Sequence, residues 1–379
     1  LFLTRGQWRS AFHPFAAITM SRAFHRYSLL TLAVGVVLVW WGAAVTTEDV
    51  GLAVPDWPLC YGKINPEGWY KVPALLLEHG HRWIAMTIGW LVLGMYYWQF
   101  AKFKPGLLEG VGIILCSLGF LILIYMGAIL AASIIALLGF SWLVLKWYSQ
   151  RWPLLRGLTT LALLLVVVQA SLGGLRVLKM SDPLGVTHGT LGQVFYCLLV
   201  FIAFASSRTW TEGRLILPAK QAAKARFWTL ALFLCVFGQL VLGATLRHTQ
   251  RTHLAAGDIL TTKGHWVPPV SPPDVFLLFA HKYWGFFVAI LILFVAVRAR
   301  SWLVTLPKVR VVASLLMIMP TIQVALGIFV ILTGKSFWVT NFHVLNGLAL
   351  LALSSLLVAT FWGDTLSRDQ IDDEDAVAA

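Results

Sequence analysis

Four histidines, His81, His188, His281 and His343, stand near the starts of hydrophobic stretches that are long enough to cross a membrane. An ionisable side chain inside such a stretch is costly and is read first as functional. They form two matched pairs, His81 with His188 and His281 with His343. Neutral imidazoles facing each other across a helix bundle suit axial ligation of a haem iron, so the chain reads as carrying two haem-sized sites. The stretch that holds His81 opens Leu77-Glu78-His79-Gly80-His81-Arg82. Glu78 and His81, three residues apart, share a helix face, whereas His79 points elsewhere. A carboxylate beside an imidazole can manage protons. The plainer alternative is a solvated helix start with an acidic first turn.

The elements that position these residues follow from composition. The chain is 59% hydrophobic and only 12% charged, whereas soluble domains are about a quarter charged. Apolar runs of about 20 residues recur, each able to cross a ~30 Å hydrocarbon core. The fold class is therefore all-α and polytopic, because helices satisfy their own backbone groups in lipid. The net charge of +13 is no nucleic-acid footprint. Its Lys and Arg cluster in short segments between spans, as in Arg208, Arg214, Lys220, Lys224 and Arg226, and this places both termini on the cytoplasmic side. Residues 1–19 precede an ordinary-looking start at Met20-Ser21-Arg22, and no cleavable signal pattern is present. Cys116, Cys197 and Cys235 fall within spans as packing residues, and Cys60 stands alone in an outer loop.

Eight spans are read at about 27–45, 74–98, 158–177, 183–205, 227–246, 275–297, 311–332 and 339–362. The two halves repeat. Gly42 matches Gly243 at an offset of 201, and His81 matches His281 at 200. Gln169 through Gly173 match Gln323 through Gly327 at 154, and His188 matches His343 at 155. The first half thus carries 45 extra residues between its second and third spans, enough for an inserted helical hairpin at 108–147. The expected architecture is two tandem four-helix bundles related by a pseudo-twofold along the membrane normal. Its parts are a cytoplasmic segment 1–26, a first bundle 27–205 with the hairpin, a cytoplasmic linker 206–226, a second bundle 227–362 and an acidic tail 363–379.

Around the histidines lie many glycines, read mainly as small-residue helix packing. Gln169, Gln239 and Gln323 each begin a Gln-x-x-Leu-Gly pattern, read as hydrogen-bonding between helices. Arg82, Arg176, Arg247 and Lys282 lie at the outer boundary, where guanidinium groups can pair carboxylates such as haem propionates. Snorkelling to headgroups explains any one of them equally well. The loop 46–73, rich in Pro, Trp and Gly, reads as a compact interfacial lid. His248, His253 and His265 could bind a metal, but the favoured reading is that they are solvated loop histidines.

Together, Gly51–Gly62 (with Pro55-Asp56-Trp57-Pro58-Leu59-Cys60), Glu78–Arg82, Gln169–Gly174 and the His188 helix resemble the heme A synthase family. The resemblance covers roughly residues 27–362 apart from the insert. It implies an oxidoreductase that converts haem O to haem A by oxidising a porphyrin ring methyl to formyl, for terminal oxidase assembly. It also implies a substrate site at Glu78, His81 and His188, with haem b on His281 and His343 and with Arg82 and Arg247 as cofactor-binding residues. Iron would then be ligated by all four histidines. Expected partners are the bilayer of a bacterial inner membrane, the farnesyltransferase that makes haem O, the oxidase being assembled and an electron acceptor. The family's outer-loop cysteine pair is reduced here to Cys60, so a dithiol role is not carried over. Two rivals stay open: a diheme b-type electron-transfer cytochrome, and a haem transporter or chaperone.

Overall fold

A computed structural model describes residues 22–103, 154–213, 215–249, 258–270 and 273–377. All its regular elements are helical: α1 (Arg22–Thr47), α2 (Pro73–Phe103), α3 (Leu154–Lys179), α4 (Asp182–Ala205), the short α5 (Arg208–Glu212), α6 (Ala219–His248), α7 (Pro273–Trp302), α8 (Pro307–Leu332) and α9 (Phe337–Val377). Seven of these, α1, α3, α4, α6, α7, α8 and α9 to Gly363, are long and apolar enough to cross a membrane. The eighth long helix, α2, carries Glu78, His79, His81 and Arg82 in its opening turns. All eight spans expected from the sequence fall inside these helices. The inserted hairpin expected at 108–147 lies outside the described residues, as does the segment before Arg22.

Local sequence sets the helix ends. At the start of α4, Ser181 accepts a hydrogen bond from the Leu184 N–H at 3.4 Å, and Pro183 occupies the first turn. The tight α8–α9 connection needs left-handed backbone at Gly334 (φ 59°) and Lys335 (φ 70°). Glycine meets that need at no steric cost, and Lys335 is the exception.

The helices close into two rings. In the first, α1 packs on α2, α2 on α3, α3 on α4, and α4 back on α1. In the second, α6, α7, α8 and α9 follow the same circuit. One core gathers Ile88, Val92, Leu158, Leu199 and Ile202, and the other Leu232, Ile292, Val295, Leu316 and Leu351. The rings meet along a seam where α1 and α4 face α6 and α9. Tyr196, Leu348 and Ala352 fill its middle. A Cβ at Gly35 would sit 3.2 Å from the Tyr196 ring, so this glycine on α1 makes room for that ring of α4. The expected linker 206–226 is docked against the second bundle: Leu215 and Leu217 enter its core, and α6 already begins at Ala219.

Candidate functional site

Each of the four paired histidines lies near the start of α2, α4, α7 or α9, and the end of the preceding helix presses a glycine against its ring. A Cβ at Gly42 would stand 2.9 Å from His81 Cε1, at Gly173 3.1 Å from His188, at Gly243 2.8 Å from His281 and at Gly327 3.3 Å from His343. At Gly42 and Gly243 a side chain would collide with the Cε1 corner of the ring, and at Gly173 and Gly327 the ring would have to give way slightly. A single cavity of about 1230 Å³ is lined by all four rings together with Glu78, Arg82 and Arg247. It exceeds the ~300–1,000 Å³ usual for one small-ligand pocket.

The three glutamines are braces between helices, as read from the sequence. Gln169 Nε2 donates to the His188 carbonyl (3.0 Å), Gln239 Nε2 to that of His281 (2.9 Å) and Gln323 Nε2 to that of His343 (3.1 Å). Each amide lies over the glycine one turn further on, Gly192, Gly285 or Gly347. At the fourth position Leu38 and Ala85 replace the glutamine and the glycine, so no such brace holds His81. The His81 Nδ1 is buried without a partner.

His188 Nδ1 lies 3.1 Å from the Gln169 carbonyl oxygen. A carbonyl only accepts, so Nδ1 carries the proton and Nε2 keeps a lone pair for a ligand. The His81 and His188 ring centroids are 6.4 Å apart. A metal held between two imidazoles needs two bonds of about 2 Å and about 1.2 Å from each nitrogen to its ring centre, which fits this separation.

Glu78 is buried beside the first pair. Its Oε1 accepts from Arg82 Nη2 at 2.7 Å, and its Oε2 accepts from the Val54 N–H at 2.8 Å. Arg82 reaches further, donating from Nη1 to the carbonyls of Asp56 (2.9 Å) and Leu59 (2.7 Å). The loop after α1 is therefore a lid pinned to the helix that carries the histidine. Trp57 seals it against α3 so closely that a Cβ at Gly174 would fall 2.4 Å from the indole. His79 also borders the cavity, held by a hydrogen bond from Trp83 Nε1 (3.0 Å) and the edge of Trp69.

The second bundle has a lid with the same backbone, which the sequence reading missed. Cys60 and Lys63 exchange two backbone bonds of 2.8 and 3.1 Å, and so do Thr262 and His265. Tyr61 and Gly62 have positive φ, as do Lys263 and Gly264. Lys282, the residue after His281, donates to the Asp258 and Thr261 carbonyls as Arg82 does to Asp56 and Leu59. The legible signal was an Asp six residues before a Gly in both loops, Asp56–Gly62 and Asp258–Gly264, with a cation directly after His81 and His281. Partial burial opposes ionisation of Asp56, but N–H donation from Gly62 and Tyr61 and the charge of Arg82 hold its carboxyl below the ordinary value. The Thr261 hydroxyl does most of the same work for Asp258, with the Gly264 N–H and Lys282 adding to it. Burial pushes the Cys60 thiol up, against the nearby Arg82 charge.

His248 is not the solvated loop residue expected. It ends α6, and its ring lines the cavity against Gly185 and Gly189 of α4. Arg176 also turns inward, packing on Gly51 and Gly185.

Residues 125–355, more than half of the chain, match the COX15-CtaA family, described as cytochrome oxidase assembly protein. The heme A synthase of Halalkalibacterium halodurans is 26% identical over 337 residues, covering 86% of this chain and 93% of that protein. The chain belongs to the heme A synthase family. The heme A synthase of Shouchella clausii is 25% identical over 325 residues, 83% of this chain and 88% of its own length. That of Symbiobacterium thermophilum is 35% identical over 85 residues, 22% and 26% of the two chains. As a member of the heme A synthase family, the protein is an oxidoreductase of the membrane.

Proposed function

We propose that this protein oxidises a ring methyl of haem O to the formyl group of haem A, with the substrate between His81 and His188 and a resident haem b between His281 and His343. The observation that carries the reading is an asymmetry between matched positions. Glu78 in the first bundle corresponds to the buried Leu278 in the second, and His81 is the one histidine without a glutamine brace. A ligand that must enter, react and leave is served by the less constrained pair beside a carboxylate. One that stays is served by two braced imidazoles in apolar surroundings.

Methyl-to-formyl conversion removes four electrons, adds one oxygen atom and releases protons near the ring edge. Bound haem supplies the redox chemistry. Within the chain, Glu78 accepts protons or stabilises positive charge as it develops, and Arg82 with the Val54 N–H fixes the carboxylate's two oxygens. His81 and His188 orient the substrate. The lid, anchored by Trp57, keeps bulk water from the site. Arg82 and Arg247 supply positive charge facing the cavity for the acid side chains of the tetrapyrroles.

In this reading the histidine end faces outward and the basic end lies in the cytoplasm. The substrate arrives from a membrane farnesyltransferase, the product goes to a terminal oxidase under assembly, and an external acceptor takes the electrons. Pigment extraction tests the proposal: membranes that contain haem O should gain haem A when this chain is expressed and not when Glu78→Gln is expressed. Haem A formed equally by both would remove Glu78. Two stably bound b haems with no haem A would instead mark an electron-transfer cytochrome, and reversible haem uptake with no product a carrier.

A further inference from the structure

The geometry points to a carboxylate-binding site shared by the two bundles, built by Arg176, Arg247 and His248 at the seam. It rests on the proposed function for the identity of its ligand, the acid side chains of a tetrapyrrole. Arg247 belongs to α6, yet its Nη2 donates to the Ala43 carbonyl and to Thr47 Oγ1 (2.7 Å) on α1 of the other bundle. Thr47 Oγ1 in turn lies 3.3 Å from Asn341 Oδ1 on α9. These neutral acceptors fix the guanidinium across the seam without neutralising it. Its Nε is buried with no partner, and among the described residues no carboxylate forms an ion pair with it.

Arg176 and His248 come from opposite bundles and converge on one glycine. A Cβ at Gly185 would lie 3.0 Å from Arg176 Nε and 2.9 Å from His248 Nδ1. That His248 nitrogen is also buried and unpartnered. All three side chains line the cavity that holds the histidine pairs. Arg176 has Glu78, Asp182 and Asp49 near it, but among the described residues no carboxylate acts on Arg247 or His248, and burying that guanidinium beside an imidazole is costly unless an anion completes the set. The planar fork of arginine matches a carboxylate. Gly185 and Gly189 flank His188 on α4, and Arg247 reaches through Thr47 to Asn341, two residues before His343 on α9. The cluster thus stands between the two pairs, and acid groups of ligands at both would end on it. Filling one pair is then felt at the other.

The test uses the full-length protein purified with its resident haem, with iron protoporphyrin IX and its dimethyl ester as probes. In the unmodified protein the free acid should bind at least tenfold tighter than the ester. The acid alone should also shift the resident haem's reduction potential. Arg247→Gln should bring the acid-to-ester ratio to within twofold and abolish the shift, while Arg247→Lys keeps part of both. If Arg247→Gln fails to retain haem, Arg176→Gln on the other bundle carries the same measurement. Equal binding of acid and ester by the unmodified protein, or a ratio unchanged in the Gln variants, would overturn the site. Tighter acid binding with no potential shift would overturn its sharing. Absence of haem A production with these ratios intact would sink the catalytic reading and leave the carboxylate site standing.

Discussion

In the second bundle both histidines are braced from the preceding helix, by Gln239 and Gln323, and the residue matching Glu78 is Leu278. In the first bundle only His188 is braced, by Gln169, while His81 has Leu38 and Ala85 where the others have Gln and Gly. The pressed glycines, the pinned lid and the ring of four helices are common to both. Around His81 a brace is missing and a carboxylate is present. The two bundles offer matching cradles, and the proposed function gives holding to the braced one and reacting to the other.

The comparison breaks most visibly if the second pair is not a fixed haem site. His343→Ala or His281→Ala should abolish the low-spin bis-histidine spectrum of the resident haem, read directly in the purified protein. Next in size is Glu78→Gln, expected to lower haem A formation by about a hundredfold or more, within the range for losing an acid–base group. The resident haem spectrum should be unchanged in this variant, and equal loss of haem from both pairs would mean that Glu78 only holds the lid. Transplanting the brace sharpens the contrast: Leu38→Gln with Ala85→Gly should slow release of ligand from the first pair about fivefold, the equivalent of one added hydrogen bond of about 1 kcal/mol. Stopped-flow dissociation of added iron porphyrin measures it, and an unchanged rate would show that the missing brace does not matter. Smallest is Cys60→Thr, which copies Thr262 at the matching point of the other lid. Stability should change by about 1 kcal/mol at most and haem A yield by less than twofold, whereas a collapse in yield would assign the thiol a chemical task.

Much of this was legible in the sequence because the constraints are one-dimensional. Apolar runs of membrane length marked the spans, and the repeat offsets paired the histidines before any helix was placed. The Gln-x-x-Leu-Gly pattern also carried its meaning, since a helical spacing of four sets Gln one turn before the glycine that receives the ring. The second lid stayed hidden because its shape resides in backbone bonds. Asp56-Trp57-Pro58-Leu59-Cys60-Tyr61-Gly62 and Asp258-Ile259-Leu260-Thr261-Thr262-Lys263-Gly264 share only their first and last residues. His248 was misjudged for a related reason. It sits at the very end of α6, where local sequence reads as loop, and only the approach of α4 encloses it.

Arg82 touches the lid carbonyls and the Glu78 carboxylate with one side chain. The seating of the lid and the orientation of the carboxylate therefore hang on one guanidinium. A displacement of the Asp56 and Leu59 carbonyls would be felt at Glu78 through the same side chain, which couples the closure of the chamber to the placing of its acid group.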